Sequence, residues 1–184
     1  MRRRGRRAAL VVMALAATLA LGACAVVPRS ADAPGDTLAG RIAVRVEGVD
    51  GGAARSVNAA FELQGTADAG SLSLSTPLGS ILAQARWSPG SVLLITPQGE
   101  RRFADLDGLT REVLGEALPV AALFDWLRGR PWPGAPSQAA ATPGEPGFAQ
   151  LGWTVDLARF SDAWVMARRD SAPAVTVRAK VDLP

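Results

Sequence analysis

The chain has 184 residues, with 20 basic and 17 acidic side chains and a formal net charge of +3. It contains no His, no Tyr and a single Cys. Those absences exclude histidine acid–base catalysis, a Ser-His-Asp triad, imidazole metal sites, an intramolecular disulfide and a Cys-rich zinc site. Five of the positive charges, Arg2, Arg3, Arg4, Arg6 and Arg7, lie in the first seven residues, and no acid precedes Asp32. Without that end the balance is 15 basic against 17 acidic side chains, a net charge of −2. A hydrophobic content of 48% is ordinary for a globular chain. The length suits one domain with a real core.

In chain order, the arginine-rich start is followed by Ala8 to Ala23, a run of small and aliphatic residues without charge. It is short for a membrane span and fits the apolar region of a signal peptide. It ends in Leu21-Gly22-Ala23-Cys24, which matches the bacterial lipobox. The motif implies cleavage after Ala23, a diacylglyceryl group on the Cys24 sulfur and acylation of the new amine. An ordinary secretory signal with a stray Cys is the alternative, but the one Cys of the chain falls where the lipobox requires it. Several acyl chains anchor a protein stably where one is marginal. In lipoproteins resembling those of enterobacteria, Ala25 rather than Asp after the Cys favours the outer membrane. Residues 1–23 therefore read as a signal peptide, 24–36 as a lipidated flexible tether, and 37–184 as the folded domain. No cofactor besides the covalent acyl chains is expected, and nucleic acid is not an expected partner.

From Leu38 the apolar residues recur every second position. Ile42, Val44 and Val46 form one such series, and Val57, Ala59, Phe61 and Leu63 a second. Leu72 and Leu74 follow, then Ile81, Ala83, Ala85 and Trp87, then the run Val92–Ile95. Gly, Pro and Asp-Gly punctuation separates them. This spacing predicts an antiparallel meander, hence a barrel or strongly curved sheet.

The period then changes. Leu106, Leu109, Val113, Leu114, Ala117 and Leu118 fit one helical face, with Asp105 or Asp107 available to cap it. Pro119 suits the first turn of a second helix, in which Val120, Leu123, Phe124 and Leu127 share a face and Gly129 is a stop. Two short amphipathic helices must lay an apolar face on something, and the concave side of the sheet is the natural place. Pro131 to Gly147, with five Pro and three Gly, predicts a long irregular loop. Strands resume at Trp153, Val155 and Leu157, at Trp164–Met166, and at Val175, Val177, Ala179 and Val181.

Chemistry-bearing constellations are few. Asp105 with Asp107 and Glu112 with Glu116 are carboxylate pairs, but the first sits where a helix N-terminus favours negative charge and the second on a solvated helix face. The five Trp read as packing rather than sugar platforms, and Arg101-Arg102 and Arg168-Arg169 as solvent-facing pairs. The local oddity is Thr76-Pro77-Leu78-Gly79, between two strands. Pro second and Gly fourth suit a type I turn, which leaves Leu78 apolar at a tip where a polar residue would be free of cost. Such a side chain either inserts into lipid or a partner, or folds back on the sheet.

The lipobox, Ala39-Gly40-Arg41-Ile42-Ala43-Val44, Thr76-Pro77-Leu78-Gly79-Ser80, Trp126-Leu127-Arg128-Gly129-Arg130-Pro131 and Gly152-Trp153-Thr154-Val155 occur in an order that resembles the LolB family of outer-membrane lipoprotein receptors. The resemblance spans essentially the whole chain after Cys24. It implies a mainly β fold with a helical insert: an incomplete antiparallel β-barrel of about eleven strands, LolA/LolB-like, with helices covering an apolar cavity. It also implies a lipid-anchored monomer on the periplasmic face of the outer membrane, with no enzymatic activity and no metal. Such a protein receives acylated lipoproteins from the periplasmic carrier LolA and inserts them among the phospholipids of the inner leaflet. In the family the Leu of the Pro-Leu-Gly tip is needed for membrane insertion of the cargo, which maps onto Pro77, Leu78 and Gly79. Strand parity and helix phase then assign Phe61, Leu63, Leu74, Leu94, Phe124 and Trp126 to the acyl cavity. The alternative functions are a structural or scaffolding envelope lipoprotein without acyl cargo and, more remotely, an envelope glycosidase using the carboxylates.

Overall fold

The computed structural model describes residues 37–48, 52–140 and 144–182. The signal peptide, Cys24 and the tether lie outside them. Six strands come first: β1 (Leu38–Val46), β2 (Arg55–Gly65), β3 (Gly70–Ser75), β4 (Ile81–Ser88), β5 (Ser91–Thr96) and β6 (Gly99–Phe103). Two helices follow, α1 (Leu106–Leu114) and α2 (Val120–Trp126). The chain then forms β7 (Ser137–Ala139), β8 (Gly147–Gln150), β9 (Trp153–Asp156), β10 (Trp164–Arg169) and β11 (Val175–Val181). All eleven strands join one antiparallel sheet in the order β6-β5-β4-β3-β2-β1-β11-β10-β9-β8-β7.

The sheet is two meanders fused at β1 and β11, which pair from Gly40↔Val181 to Val46↔Val175. The helical insert connects the two outer edges, β6 and β7. No pairing closes those edges among the described residues, so the barrel is incomplete, as expected. Period-two patterning puts Val44, Val46, Ala59, Phe61, Leu63, Ala85 and Trp87 on the inner face with the helices. Gly40 illustrates how closely that face is drawn together. A Cβ there would stand 2.1 Å from the Lys180 carbonyl oxygen and 3.0 Å from the ring of Phe61, its cross-strand partner.

Three features differ from the sequence expectation. The first helix ends at Leu114, because Gly115 adopts φ 87° and its N–H closes on the Arg111 carbonyl at 2.9 Å. Ala117 and Leu118 therefore belong to the connection. The long loop contains β7, paired with β8, and is pinned by Gln150. That buried side chain accepts from Trp126 Nε1 at 2.7 Å and donates to the Trp132 and Ala135 carbonyls at 2.7 and 2.8 Å. Arg169 and Glu116 do not face solvent. They form a 2.7 Å ion pair with side chains only 19% and 25% exposed, and the Arg169 guanidinium lies 5.6 Å from the Trp153 ring centre. The pair ties the α1–α2 connection to β10.

Candidate functional site

Helix α1 is held over the sheet by local chemistry. Asp105 caps it, accepting from the Gly108 N–H at 2.6 Å. Thr110 fixes the turn into α2: its hydroxyl donates to the Leu106 carbonyl at 3.1 Å and accepts from the Leu118 N–H at 3.0 Å. Leu109, Val113 and Leu114 then face the strands, joined by Leu118, Val120 and Leu123.

Between these residues and the inner face of β1–β5 lies a cavity of about 270 Å3. Its sheet wall is Ile42, Val44, Val57, Leu72, Leu74, Leu82, Ala83, Ala85, Leu94 and Thr96. Thr96 and Thr110 are the only polar residues on it, and the Thr110 hydroxyl is already engaged. Among the described residues its wall carries no ionisable group. It can exclude water from an apolar chain, at about 0.8 kcal/mol per buried methylene.

Of the six residues assigned to the cavity from strand parity and helix phase, Leu74 and Leu94 line it. Phe61, Leu63, Phe124 and Trp126 do not; they are fully buried in the packed core beside it. Parity tells the inner face from the outer one, but large inward rings fill space rather than border it. Phe124 packs edge-on to Trp87 with centres 5.8 Å apart, and Trp126 packs on Trp153 at 6.0 Å.

Two lining residues are open to solvent, Leu82 at 40% and Val113 at 47% exposure. They mark the mouth. Leu82 reaches the cavity through a β-bulge: Leu74 pairs with Ala83 but Ser75 pairs with Ile81, leaving Leu82 as the extra residue. The bulge reverses the expected parity, because Ile81 moves to the outer face beside Ser75 and Leu82 turns inward.

Immediately beyond the bulge is the tip. The Gly79 N–H donates to the Thr76 carbonyl at 2.9 Å, and the Thr76 N–H donates to the Ser80 carbonyl at 2.9 Å. Gly79 takes φ 85°, a left-handed conformation that a side chain would strain. Leu78 stands at the apex of this closed turn and does not fold back on the sheet. It is 95% exposed, with Ile81 at 55% close behind. The apolar tip and the cavity mouth are therefore neighbours on one hairpin. The bulge was not legible in the sequence, since Ile81-Leu82-Ala83 is apolar at every position.

A family model described as "Outer membrane lipoprotein LolB" matches residues 37–180. Among curated relatives, the Outer-membrane lipoprotein LolB of Cupriavidus necator is 36% identical, over 97% of each chain. That of Bordetella petrii is 34% identical over 89% of this chain and 87% of its own. That of Cupriavidus metallidurans is 33% identical over 98% of this chain and 89% of its own.

Proposed function

The chain belongs to the LolB family, and from that premise we infer that it is an outer-membrane lipoprotein that takes acylated lipoproteins from the carrier LolA and delivers them to the bilayer. Cys24 is its own anchor on the periplasmic face. The stretch from Cys24 to Thr37 reaches at most about 45 Å when extended, enough to let the domain turn its tip to the membrane that holds the anchor.

The observation that carries the reading is the placement of an apolar cavity mouth beside an exposed apolar tip, Leu82 and Leu78 on one hairpin. Acyl chains need an apolar and weakly specific wall, and that of β1–β5 with α1 is apolar apart from two threonines. At about 270 Å3, the cavity falls just below the range of small-molecule pockets, roughly 300–1,000 Å3. Taking up several chains therefore requires α1 and the α1–α2 connection to move away from the sheet. Handover from the carrier needs no fuel if this cavity binds the chains more tightly, about 1.4 kcal/mol giving a tenfold bias. Leu78 then enters the bilayer ahead of the cargo, and the chains leave by the adjacent mouth.

Incubating residues 25–184 with carrier-bound lipoprotein, then separating the two proteins, tests the reading. Cargo recovered with this chain supports it. Cargo that stays with the carrier, together with purification of the chain free of acyl chains, establishes a scaffolding lipoprotein instead.

A further inference from the structure

The outer face of the sheet, turned away from the cavity, carries a charge asymmetry that the net charge hides. Cross-strand pairing sets Trp164, Lys180, Arg41, Ala60, Ser75 and Ile81 in one row that runs to the base of the tip. Met166, Arg178, Ala43 and Asn58 form the next row. Where these rows meet the tip there is a groove of about 220 Å3, bordered by Pro77, Trp164, Arg41 and Arg178, with Ala43 and Ala60 leaving its middle open.

The basic residues around this groove differ from the others near that face. Arg45 pairs with Glu47 at 2.6 Å, Arg168 with Asp170 at 2.9 Å and Arg159 with Asp162 at 3.2 Å. Arg41, Arg178 and Lys180 are exposed and have no ion-pair partner among the described residues. The acids closest in register do not border this groove. Glu62 and Asp182 stand one row further from the tip, and Asp156 ends the Arg178 row on the other side of Met166, its carboxylate accepting from the Ala158 N–H at 2.8 Å.

Guanidinium groups present planar, multiple donors that match phosphate oxygens. A half-buried Trp beside them is the residue type that settles at a membrane–water boundary. The row is continuous with Ile81 and the tip, so a bilayer that receives Leu78 meets these groups next. We propose that the groove between Pro77 and Trp164 seats the phosphate of an anionic phospholipid headgroup through Arg41 and Arg178, with Lys180 against the same surface. This rests on the reading that the tip works at a membrane and adds the headgroup chemistry it meets there. It makes membrane engagement two-part: an apolar tip in the bilayer and a basic face on its surface.

Lys180 is the sole lysine of the chain, so its reaction with a water-soluble amine-acylating reagent, followed by mass spectrometry, reports this face alone. Full-length lipidated protein is anchored in vesicles of phosphatidylcholine, with or without phosphatidylglycerol, so the anchor is common to both. Lys180 is expected to react about fivefold more slowly on the phosphatidylglycerol vesicles, with salt restoring the rate. The Arg41→Gln/Arg178→Gln variant is expected to lose most of that protection. Equal rates on the two vesicle types overturn the proposal, as does equal protection in the variant, which would mark a general surface effect. Protection by inorganic phosphate on phosphatidylcholine vesicles, without protection by phosphatidylglycerol, overturns it in favour of a free-anion site. No cargo is present, so failure here leaves the handover reading untouched.

Discussion

The inner faces of β1–β5 and of β8–β11 are both largely apolar, and among the described residues it is the first that borders the cavity under α1. On β8–β11 the inward positions include Phe148, Trp153, Val155, Val165 and Val177, and Trp126 of α2 fills the space between them. Gln150 locks that packing by satisfying the indole N–H and two carbonyls of the following loop. On β1–β5 the inward positions near the tip are Ile42, Val44, Leu72, Leu74 and Ala83. These are aliphatic or small and leave a gap under α1. Aromatic volume fills the β8–β11 half throughout and makes it solid, whereas on β1–β5, the hollow half, the aromatics Phe61 and Trp87 pack beside the cavity and none of its lining residues is aromatic.

The largest expected effect comes from breaking the solid half. Trp126→Ala removes a completely buried side chain and leaves Gln150 without its indole partner, so it should cost about 3–5 kcal/mol in denaturant unfolding. The cavity under α1 should survive in the folded fraction. The mirror experiment fills the hollow half. Leu74→Trp should change stability by less than about 1 kcal/mol, because the ring enters existing space rather than a packed core. It should nevertheless weaken binding of a fluorescent acyl probe at least about tenfold. A destabilisation as large as that of Trp126→Ala would mean the two halves are packed alike.

A smaller effect is expected at the strut between them. Glu116→Gln neutralises the partner of Arg169, whose Nε is already buried without a hydrogen-bond partner. A loss of about 1–3 kcal/mol is expected. Hydrogen exchange should show it as faster opening of α1 and the α1–α2 connection, with the β9–β11 amides unchanged. Uniform acceleration across the sheet would show that the pair braces the whole fold instead.

The hollow–solid contrast was only half visible in the sequence. Period-two alternation located β1–β4, β9 and β11, apolar runs located β5 and β10, and the change to helical spacing located α1 and α2. Strand β6 was missed because its Gly-Glu-Arg-Arg stretch is exposed on both faces of an edge, so no apolar alternation marks it. Strand β8 was missed because one of its inward residues is Gln150, a polar side chain that pattern reading assigns to solvent. The same blindness hid the ion pair of Arg169 with Glu116, made across 53 residues of sequence. Cavity residues were the hardest to read, since inward parity is shared by Phe61, which fills, and Leu74, which borders. The turn at the tip, in contrast, was legible from Pro-Leu-Gly, although the residues left open whether Leu78 folds back on the sheet; the structure leaves it 95% exposed.

Under the proposed function, the hollow half accepts acyl chains and the tip delivers them, as separable steps. Leu78→Glu tests it in one two-stage measurement, with labelled cargo followed first from the carrier to this protein and then to vesicles. The account predicts handover at the wild-type level, because Leu78 does not line the cavity, and loss of delivery, because a charged tip resists entry into the bilayer. Delivery at the wild-type rate by the variant would contradict it.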